Sequence, residues 1–260
     1  MKCHLTHLLA LAALLASPCA LHAASLTLDG DWAFQLDPAD AGVTNQWHAR
    51  DVPGTIRLPG SLQAQGFGEE ISIATRWLGL IRNSNWFDSP AYAKFRVPGN
   101  VKVPFWLQPE RHYVGAAWYQ RVVDIPADWA GRRVHLSLER VHISTRIWID
   151  DRAVGSHDSL STPHRFDLGP LTPGKHRLTI RVDNQPIPKI GVDSHCVTDH
   201  TQSAWNGLVG ALTLETTPAQ WIERVETYPD VSRRSVRVKW ALGGDAAPAR
   251  MRFTVHPPQG

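Results

Sequence analysis

The sequence has little cysteine, and what it has cannot form an internal disulfide once a leader is removed. Of the three cysteines, Cys3 and Cys19 lie before Ser25, so a processed chain keeps Cys196 alone. A single thiol has no partner within the chain. The fold must therefore be held together by core burial, for which 260 residues with 43% hydrophobic side chains are sufficient.

An excess of charge of one sign is also lacking. The chain has 27 lysines and arginines against 24 acidic residues, a formal net charge of +3, and its basic residues are spread out rather than clustered. Nucleic-acid binding requires a basic patch or stripe. Beyond the N-terminal region no run reaches the roughly 20 apolar residues that cross a bilayer. We therefore predict neither nucleic acid nor membrane as a partner, while neutral partners such as sugars remain open.

The N-terminal segment has the layout of a secretory signal. A basic residue is followed by the apolar run Leu8–Ala16 and then by small residues up to Ala24, where cleavage is expected. We predict a periplasmic or secreted location. The alternatives are a membrane anchor, for which the run is short, and a lipid on Cys19, which is disfavoured because Pro18 replaces the small residue of a lipoprotein signal.

Long helical periodicity is absent, and the period that recurs instead is two. Apolar side chains occupy every second position in Trp32–Leu36, Val134–Leu138 and Leu178–Val182, which is typical of half-buried strands. Asp150 and Asp151 predict a tight hairpin between two such strands. Many short strands bounded by turn residues predict a two-sheet β-sandwich with its functional residues in loops.

Two connections are long for a compact domain, Gln63–Val114 and Gln185–Ala204, and together they contain several Trp, His, Asn and Asp residues. Such loops are commonly functional or disordered, and this composition favours function. A second unit is expected from Trp221, with one strand at Val236, Val238 and Trp240 and another at Met251, Phe253 and Val255. About three strands fit before Gly260, whereas an immunoglobulin-like sandwich needs about seven.

Six segments carry a family resemblance through their order along the chain. They are Leu28–Trp32, Leu58–Leu62, Ala117–Arg121, Ile147–Asp151 with Val154 and Gly155, Gly174–Asn184, and Trp205–Gly210. Together they resemble the N-terminal sugar-binding domain of glycoside hydrolase family 2, the family of β-galactosidases, β-glucuronidases and β-mannosidases. After the signal peptide predicted for 1–24, the resemblance implies an all-β chain with a jelly-roll (galactose-binding-like) β-sandwich over 25–217 and an incomplete immunoglobulin-like β-sandwich over 218–260.

Catalytic residues are not expected in this chain. Retaining glycoside hydrolysis uses two carboxylates about 5 Å apart, which the family supplies as glutamates from a β/α barrel. Such a barrel needs about 250 residues, more than remain here. The Asn-Glu pair that usually marks the acid/base is also absent from the sequence. We predict an inactive fragment with no cofactor and no metal, whose partners are a carbohydrate substrate and the downstream catalytic barrel of the same full-length chain.

The resemblance implies that the loop before Trp205–Gly210 helps to line the sugar site. Carboxylates accept hydrogen bonds from sugar hydroxyls and tryptophan stacks on apolar sugar faces. The predicted substrate-binding residues are Asp193, His195, Asp199, His200, Gln202, Trp205 and Asn206. In the alternative interpretation these side chains hold the loop to itself and Trp205 is core. Zinc binding by His195, Cys196, Asp199 and His200 is a further alternative, since these are ligand types for that metal.

The sequence contains 11 tryptophans, which we divide by predicted location. Trp32, Trp118 and Trp148 lie in strands and are expected to pack. The long first loop holds Trp77, Trp86 and Trp106, for which sugar stacking and local packing are both open. At the level of function, two alternatives to a glycosidase portion remain: a freestanding carbohydrate-binding module without catalysis, and a structural sandwich with no sugar role.

Overall fold

The computed structural model describes residues 24–78, 88–103, 107–185, 195, 197–199, 204–218, 220–244, 250, 252–254 and 256. Almost all of the predicted signal peptide lies outside these residues. The described part is built mainly of antiparallel strands, with short 3₁₀ helices at Trp47–Ala49, Gln63–Gln65, Pro90–Phe95 and Ala127–Trp129. Within it, no helix is long and apolar enough to cross a membrane.

The strands in chain order are β1 (Ser25–Thr27), β2 (Gly30–Asp37), β3 (Gly54–Leu58), β4 (Gly60–Ser61), β5 (Glu69–Glu70), β6 (Arg96–Val97), β7 (Asn100–Val101), β8 (Arg111–His112), β9 (Ala116–Ile125), β10 (Arg133–His142), β11 (Ser144–Ile149), β12 (Arg152–His157), β13 (His164–Pro170), β14 (Gly174–Asp183), β15 (Gly207–Thr217), β16 (Gln220–Asp230) and β17 (Ser235–Gly244).

Two sheets form the body of the molecule. One has the order β1-β15-β10-β13, with β4 added beside β15, and the other has the order β12-β11-β14-β9-β2-β3. Strands that are distant in sequence lie side by side, as β10 does with β15 and β9 with β14, and the pairs are antiparallel. Such long connections between antiparallel neighbours characterise sandwiches of the jelly-roll type. The predicted all-β sandwich is confirmed.

The core lies between the two sheets, and it follows from the period-two pattern. Leu136 and Leu138 of β10 pair across the sheet with Leu214 and Leu212 of β15, and all four side chains are buried. The facing sheet contributes a matching row that includes Tyr119 and Ile180. Burying a leucine-sized side chain stabilises the fold by about 1.5–3 kcal/mol, so this interface is a main source of the stability of the domain.

A tryptophan cluster on the outer face of the six-stranded sheet is covered by the connection from β2 to β3. The rings of Trp118 and Trp148 stack with centroids 5.1 Å apart, and Trp47 packs 5.9 Å from Trp118. Asp37 fixes the covering segment, because its carboxylate accepts hydrogen bonds from Trp118 Nε1 and from the Gly42 amide. The packing role predicted for strand tryptophans is thus confirmed for Trp118 and Trp148, and Trp32 is equally buried.

The predicted hairpin at Asp150 and Asp151 is present between β11 and β12. Asp150 has a φ of 53°, the left-handed conformation that two-residue hairpin turns require. Its carboxylate accepts the Arg177 backbone N–H at 2.9 Å and contacts His176 Nδ1 at 2.8 Å. These bonds tie the turn to β14, and they lower the pKa of Asp150 despite the opposing effect of partial burial.

The β16–β17 hairpin has one apolar and one polar face. On the apolar face Ile222 pairs with Leu242 and Val225 with Trp240, while the polar face has Glu226 opposite Lys239. Ile222 is 54% exposed and Trp240 42% exposed. Because a lone two-stranded ribbon is marginally stable, this face is suited to being covered by further strands.

The third strand predicted for this second unit is not observed in the part that the structure describes. Residues 252–254 have no regular secondary structure, and Met251 and Val255 lie outside the described residues. The strand predicted at Met251, Phe253 and Val255 therefore stays a prediction.

The long connection Gln63–Val114 is partly ordered into small elements. Within it β6 and β7 form a short local hairpin, while β5 pairs with β8, which brings the two ends of the connection together. The connection Gln185–Ala204 is described only at Gln185, His195, residues 197–199 and Ala204. The two connections meet at one end of the sandwich, through the contacts given next.

Candidate functional site

Asp199 joins the two long connections from a buried position. Its carboxylate accepts the backbone N–H of Leu78 at 2.6 Å and that of Ala204 at 3.2 Å. Oδ2 also lies 3.2 Å from Nε2 of His112, whose ring contacts Trp77 edge-on at 4.9 Å. The side chains of Asp199 and His112 are only 1% and 5% exposed. Asp199 therefore holds three separate chain segments together.

Two asparagines extend this network to the start of β15. Asn206 donates through Nδ2 to the Gly115 carbonyl at 2.8 Å, and its backbone carbonyl accepts the Leu62 N–H at 2.8 Å. Asn184 accepts the Gly115 N–H at 2.9 Å and donates to the Tyr113 carbonyl at 2.8 Å. Both side chains are fully buried. The segment that leads into Trp205 is thus fixed by hydrogen bonds on both sides.

Trp205 stands at the edge of this network and is half-buried. Its ring stacks on His142 with a centroid distance of 4.8 Å and an interplanar angle of 23°. His142 Nδ1 lies 2.7 Å from the Trp205 carbonyl oxygen, and since a carbonyl only accepts, Nδ1 carries the proton. Backbone and ring of Trp205 are therefore both held by a single histidine.

A cleft of about 500 Å³ opens beside Trp205. It is lined by Glu139, Arg140, His142, Leu160, Ser161, Thr162, Pro163 and Trp205. Its volume lies within the range of roughly 300–1,000 Å³ that small-molecule sites occupy. A carboxylate, a guanidinium, two hydroxyls and an aromatic ring border one space, and these groups can bind a hydroxyl-rich ligand.

The hydrogen bonds in the cleft leave part of this chemistry unused. Oε2 of Glu139 accepts the Ala211 N–H at 2.7 Å, which orients the carboxylate and leaves Oε1 as an acceptor. Thr162 is held by its contact with Ser159 at 2.7 Å between hydroxyl oxygens. Arg140 is exposed and has no ion-pair partner among the described residues. The guanidinium and one carboxylate oxygen can therefore meet a ligand.

A buried histidine supports the loop that forms one wall of the cleft. His164 Nε2 donates to the Ser159 carbonyl at 2.8 Å, and Nδ1 lies 2.8 Å from the Thr145 hydroxyl. The ring also stacks on His157 at 4.3 Å. Burial lowers the pKa of His164, so the neutral imidazole is the form that the site accommodates.

The predicted site residues differ in where the structure places them. Asp199 and Asn206 are buried and bonded to protein groups, Trp205 lines the cleft, and His195 is exposed. Asp193, His200 and Gln202 lie outside the described residues, as do Cys196, Trp86 and Trp106. Within the described ranges, no group of three or more His, Cys, Asp or Glu is placed to hold a metal ion.

Sequence reasoning missed Glu139, Arg140, Ser161 and Thr162. The first two end an ordinary strand pattern and the others belong to a short polar connection between β12 and β13, so nothing local distinguishes them. The pairing of β10 with β15 brings the first two beside Trp205, and the pairing of β10 with β13 brings the other two. A sequence signal would have required knowledge of these pairings.

An antiparallel sandwich that gathers polar side chains and a half-buried tryptophan at one end has the construction of a carbohydrate-binding β-domain. The sequence model of the family described as glycosyl hydrolases family 2, sugar binding domain, matches residues 26–218. The chain belongs to this family, as its ordered segments predicted.

The curated relatives share low sequence identity with this chain and are much longer than it is. A β-galactosidase of Arthrobacter sp. (strain B7) is 24% identical over 168 residues, which are 62% of this chain and 16% of that protein. A β-glucuronidase of Paenibacillus borealis is 21% identical over 159 residues, 60% of this chain and 20% of the relative. The chain therefore corresponds to about a fifth or less of these proteins' length.

Solved structures agree in fold. The β-glucuronidase of Ruminococcus gnavus superposes with a TM-score of 0.53 at 14% identity, over 86% of this chain and 33% of that one. The β-glucuronidase of Lactobacillus rhamnosus gives 0.55 at 15% identity, over 86% and 34%. At such identities the likeness establishes the shared sandwich alone.

Proposed function

We propose that this chain is the N-terminal sugar-binding portion of an exported family 2 glycoside hydrolase whose catalytic barrel lies outside it. The observation that carries the proposal is the Trp205 cleft, because it places unused hydrogen-bonding groups of Glu139 and Arg140 beside the ring of Trp205, which lies in a segment that the family resemblance marked. The signal-like segment ending at Ala24 supports export to the periplasm or the medium.

In this proposal the loop residues have two kinds of role. Trp205 contacts the sugar, and His195 together with Asp193, His200 and Gln202 supplies hydrogen bonds from the same loop. Asp199 and Asn206 act as positioning residues, since the Asp199 carboxylate and the Asn206 Nδ2 are bonded to backbone groups. Asp199, Ala204 and Asn206 are thus fixed before a ligand arrives, which reduces the entropy lost on binding.

Bond cleavage is assigned to the remainder of the full-length protein. Its barrel would supply the acid/base and the nucleophile about 5 Å apart, and this chain would complete the rim of the sugar pocket. The names of the relatives suggest a β-galactoside or a β-glucuronide as the substrate class.

The test is to express the gene together with its downstream DNA and to compare the product with residues 25–260. We expect the longer product to hydrolyse nitrophenyl β-galactoside or β-glucuronide, and residues 25–260 to hydrolyse neither. N-terminal sequencing of the exported product should begin near Ser25.

The proposal fails if the downstream DNA encodes no barrel with paired glutamates. In that case millimolar or tighter sugar binding by residues 25–260 would establish the freestanding carbohydrate-binding module instead. Absence of both hydrolysis and binding would favour the structural sandwich.

A further inference from the structure

A second cleft, of about 550 Å³, lies on the outer face of the five-stranded sheet, at the point where the chain passes from β15 into the β16–β17 hairpin. Its floor is formed by outward-facing side chains of β10, β13 and β15, and its wall by the beginning of β16. None of its lining residues borders the Trp205 cleft. The two clefts are therefore separate features of the domain.

The strand register assembles the floor from polar groups. Ser137 of β10 lies opposite Arg165 of β13, and His135, one rung away, lies opposite both Asp167 and Glu215. Neighbouring strands are about 4.8 Å apart, so these groups form a continuous polar grid. A grid of this spacing can contact several hydroxyls of one extended ligand.

Part of this grid is already occupied by internal bonds. Asp167 pairs with Arg133 at 2.6 Å, Glu215 Oε1 accepts from the Thr213 hydroxyl at 3.1 Å, and His135 lies 3.2 Å from the Thr217 hydroxyl. In the described part of the chain, Ser137 and Arg165 have no side-chain hydrogen bond or ion pair. A hydroxyl and a guanidinium consequently remain as donors on the floor, and Glu215 Oε2 remains as an acceptor.

The wall supplies a fixed aromatic ring. Trp221 is half-buried and meets the His135 ring edge-on at 5.3 Å. It also covers Gly243 on the paired strand, so closely that a Cβ at that glycine would lie 2.3 Å from the indole ring. The ring is thereby held in place beside the polar floor, an arrangement suited to stacking on a sugar.

The charge of the cleft limits the class of ligand. Three carboxylates, those of Asp167, Glu215 and Glu223, line it, against the single guanidinium of Arg165. Arg133 forms an ion pair with Asp167 and so neutralises one of these three carboxylates. Burial lowers the pKa of His135, so this imidazole adds no positive charge at neutral pH. The surplus of negative charge disfavours anionic sugars and leaves neutral polyhydroxylated chains.

We propose that this cleft, defined by Ser137, Arg165, Glu215 and Trp221, is a second carbohydrate-binding site for a neutral oligosaccharide, independent of the Trp205 cleft. It would hold a polysaccharide chain while the other end of the domain contributes to the sugar pocket.

The test is calorimetric titration of residues 25–260 with four neutral tetrasaccharides (cello-, xylo-, manno- and galacto-tetraose) and with tetragalacturonate as the acidic probe. At least one neutral probe should bind in the millimolar range or tighter, and the acidic probe more weakly. Arg165→Gln should weaken that binding about tenfold, the equivalent of one charge-assisted hydrogen bond. Trp221→Ala should weaken it at least as much.

One control variant and one diagnostic variant separate this site from its surroundings. Arg57→Gln removes an exposed strand arginine on the other sheet and should bind like the parent, whereas Trp205→Ala tests whether a probe binds in the other cleft instead. The proposal is overturned if no neutral probe binds, if the acidic probe binds best, if Arg165→Gln has no effect, or if Trp205→Ala removes the binding. The last result would relocate it to the Trp205 cleft. Because Arg165 is exposed, its variant remains informative even if Trp221→Ala disturbs the hairpin.

Discussion

Replacement of Asp199 by alanine distinguishes a carboxylate that positions the loop from one that binds sugar directly. In the structure its oxygens accept two backbone N–H groups and contact His112 Nε2, all with the side chain buried. Alanine leaves these partners buried without an acceptor. Hydrogen bonds to a charged group contribute about 1.5–3 kcal/mol each, and a buried donor that loses its acceptor costs about 1–3 kcal/mol.

We therefore expect Asp199→Ala to lower the free energy of unfolding by about 3 kcal/mol. Urea unfolding of residues 25–260, followed by tryptophan fluorescence, measures this as a lower midpoint at unchanged slope. Asp151→Ala removes an exposed carboxylate from a turn and should change stability by less than about 0.5 kcal/mol.

The reasoning is refuted if Asp199→Ala unfolds at the same urea concentration as the parent. Asp199 would then not hold the loop in place. If this equally stable variant also lost sugar binding, Asp199 would be a direct sugar ligand. If the loop opens locally before the whole domain unfolds, hydrogen exchange at the Leu78 and Ala204 amides will be faster in the variant, which reports the same lost bonds.

Three further predictions concern the core, the loop wall and the Trp205 cleft. Leu138→Ala should cost about 2–5 kcal/mol in the same unfolding assay, because the buried leucine leaves a cavity between the sheets. The His164 pKa is lowered from 6.5 in the folded state, so its contribution to stability is present above pH 6.5 and is lost as the pH falls below it; His164→Gln should flatten this dependence in unfolding curves measured from pH 7.5 to 5. In the full-length protein, Trp205→Ala should raise KM for a nitrophenyl glycoside about tenfold through lost stacking, and Trp205→Phe should recover part of it.

Each of these three has a matching outcome that contradicts it. Arg140→Ala keeps the core intact and should leave stability within about 0.5 kcal/mol of the parent, so equal losses in this variant and in Leu138→Ala would argue against the core assignment. An unchanged pH profile in His164→Gln would show that other groups set the dependence. An unchanged KM in Trp205→Ala would remove this ring from the sugar site.

The body of the fold could be predicted from local patterns because strand alternation and turn chemistry act within a few residues. Val134, Leu136 and Leu138 alternate as a buried strand does, and Asp150 provides the left-handed turn that its hairpin needs. The order of strands in the sheets could not be obtained in this way, since it depends on pairing between residues far apart in sequence.

The candidate site was predictable in type and not in detail. The family resemblance predicted a site at the loop that ends at Trp205, but no local pattern indicated that Asp199 would turn inward to bond Leu78 and His112. The inward orientation of Asp199 depends on which backbone N–H groups the fold leaves unpaired. A buried donor without a partner costs free energy, so a nearby carboxylate that accepts its hydrogen bond stabilises the fold. The four polar residues beside Trp205 were missed because they are far from it in sequence. Two lie in β10 and two in the connection between β12 and β13, and strand pairing brings them to Trp205.

The apolar face of the β16–β17 hairpin has a practical consequence for work with residues 25–260. Ile222 and Trp240 form a solvent-exposed apolar patch that a second molecule can cover. The two-stranded hairpin also presents unpaired strand edges. Self-association of residues 25–260 at high concentration would then result from contacts through this apolar face and would not indicate a physiological assembly. Because Ile222 lines the second cleft and Trp240 lines neither, serine at Trp240 is the simplest means of keeping the protein monodisperse in solution while the two clefts are studied.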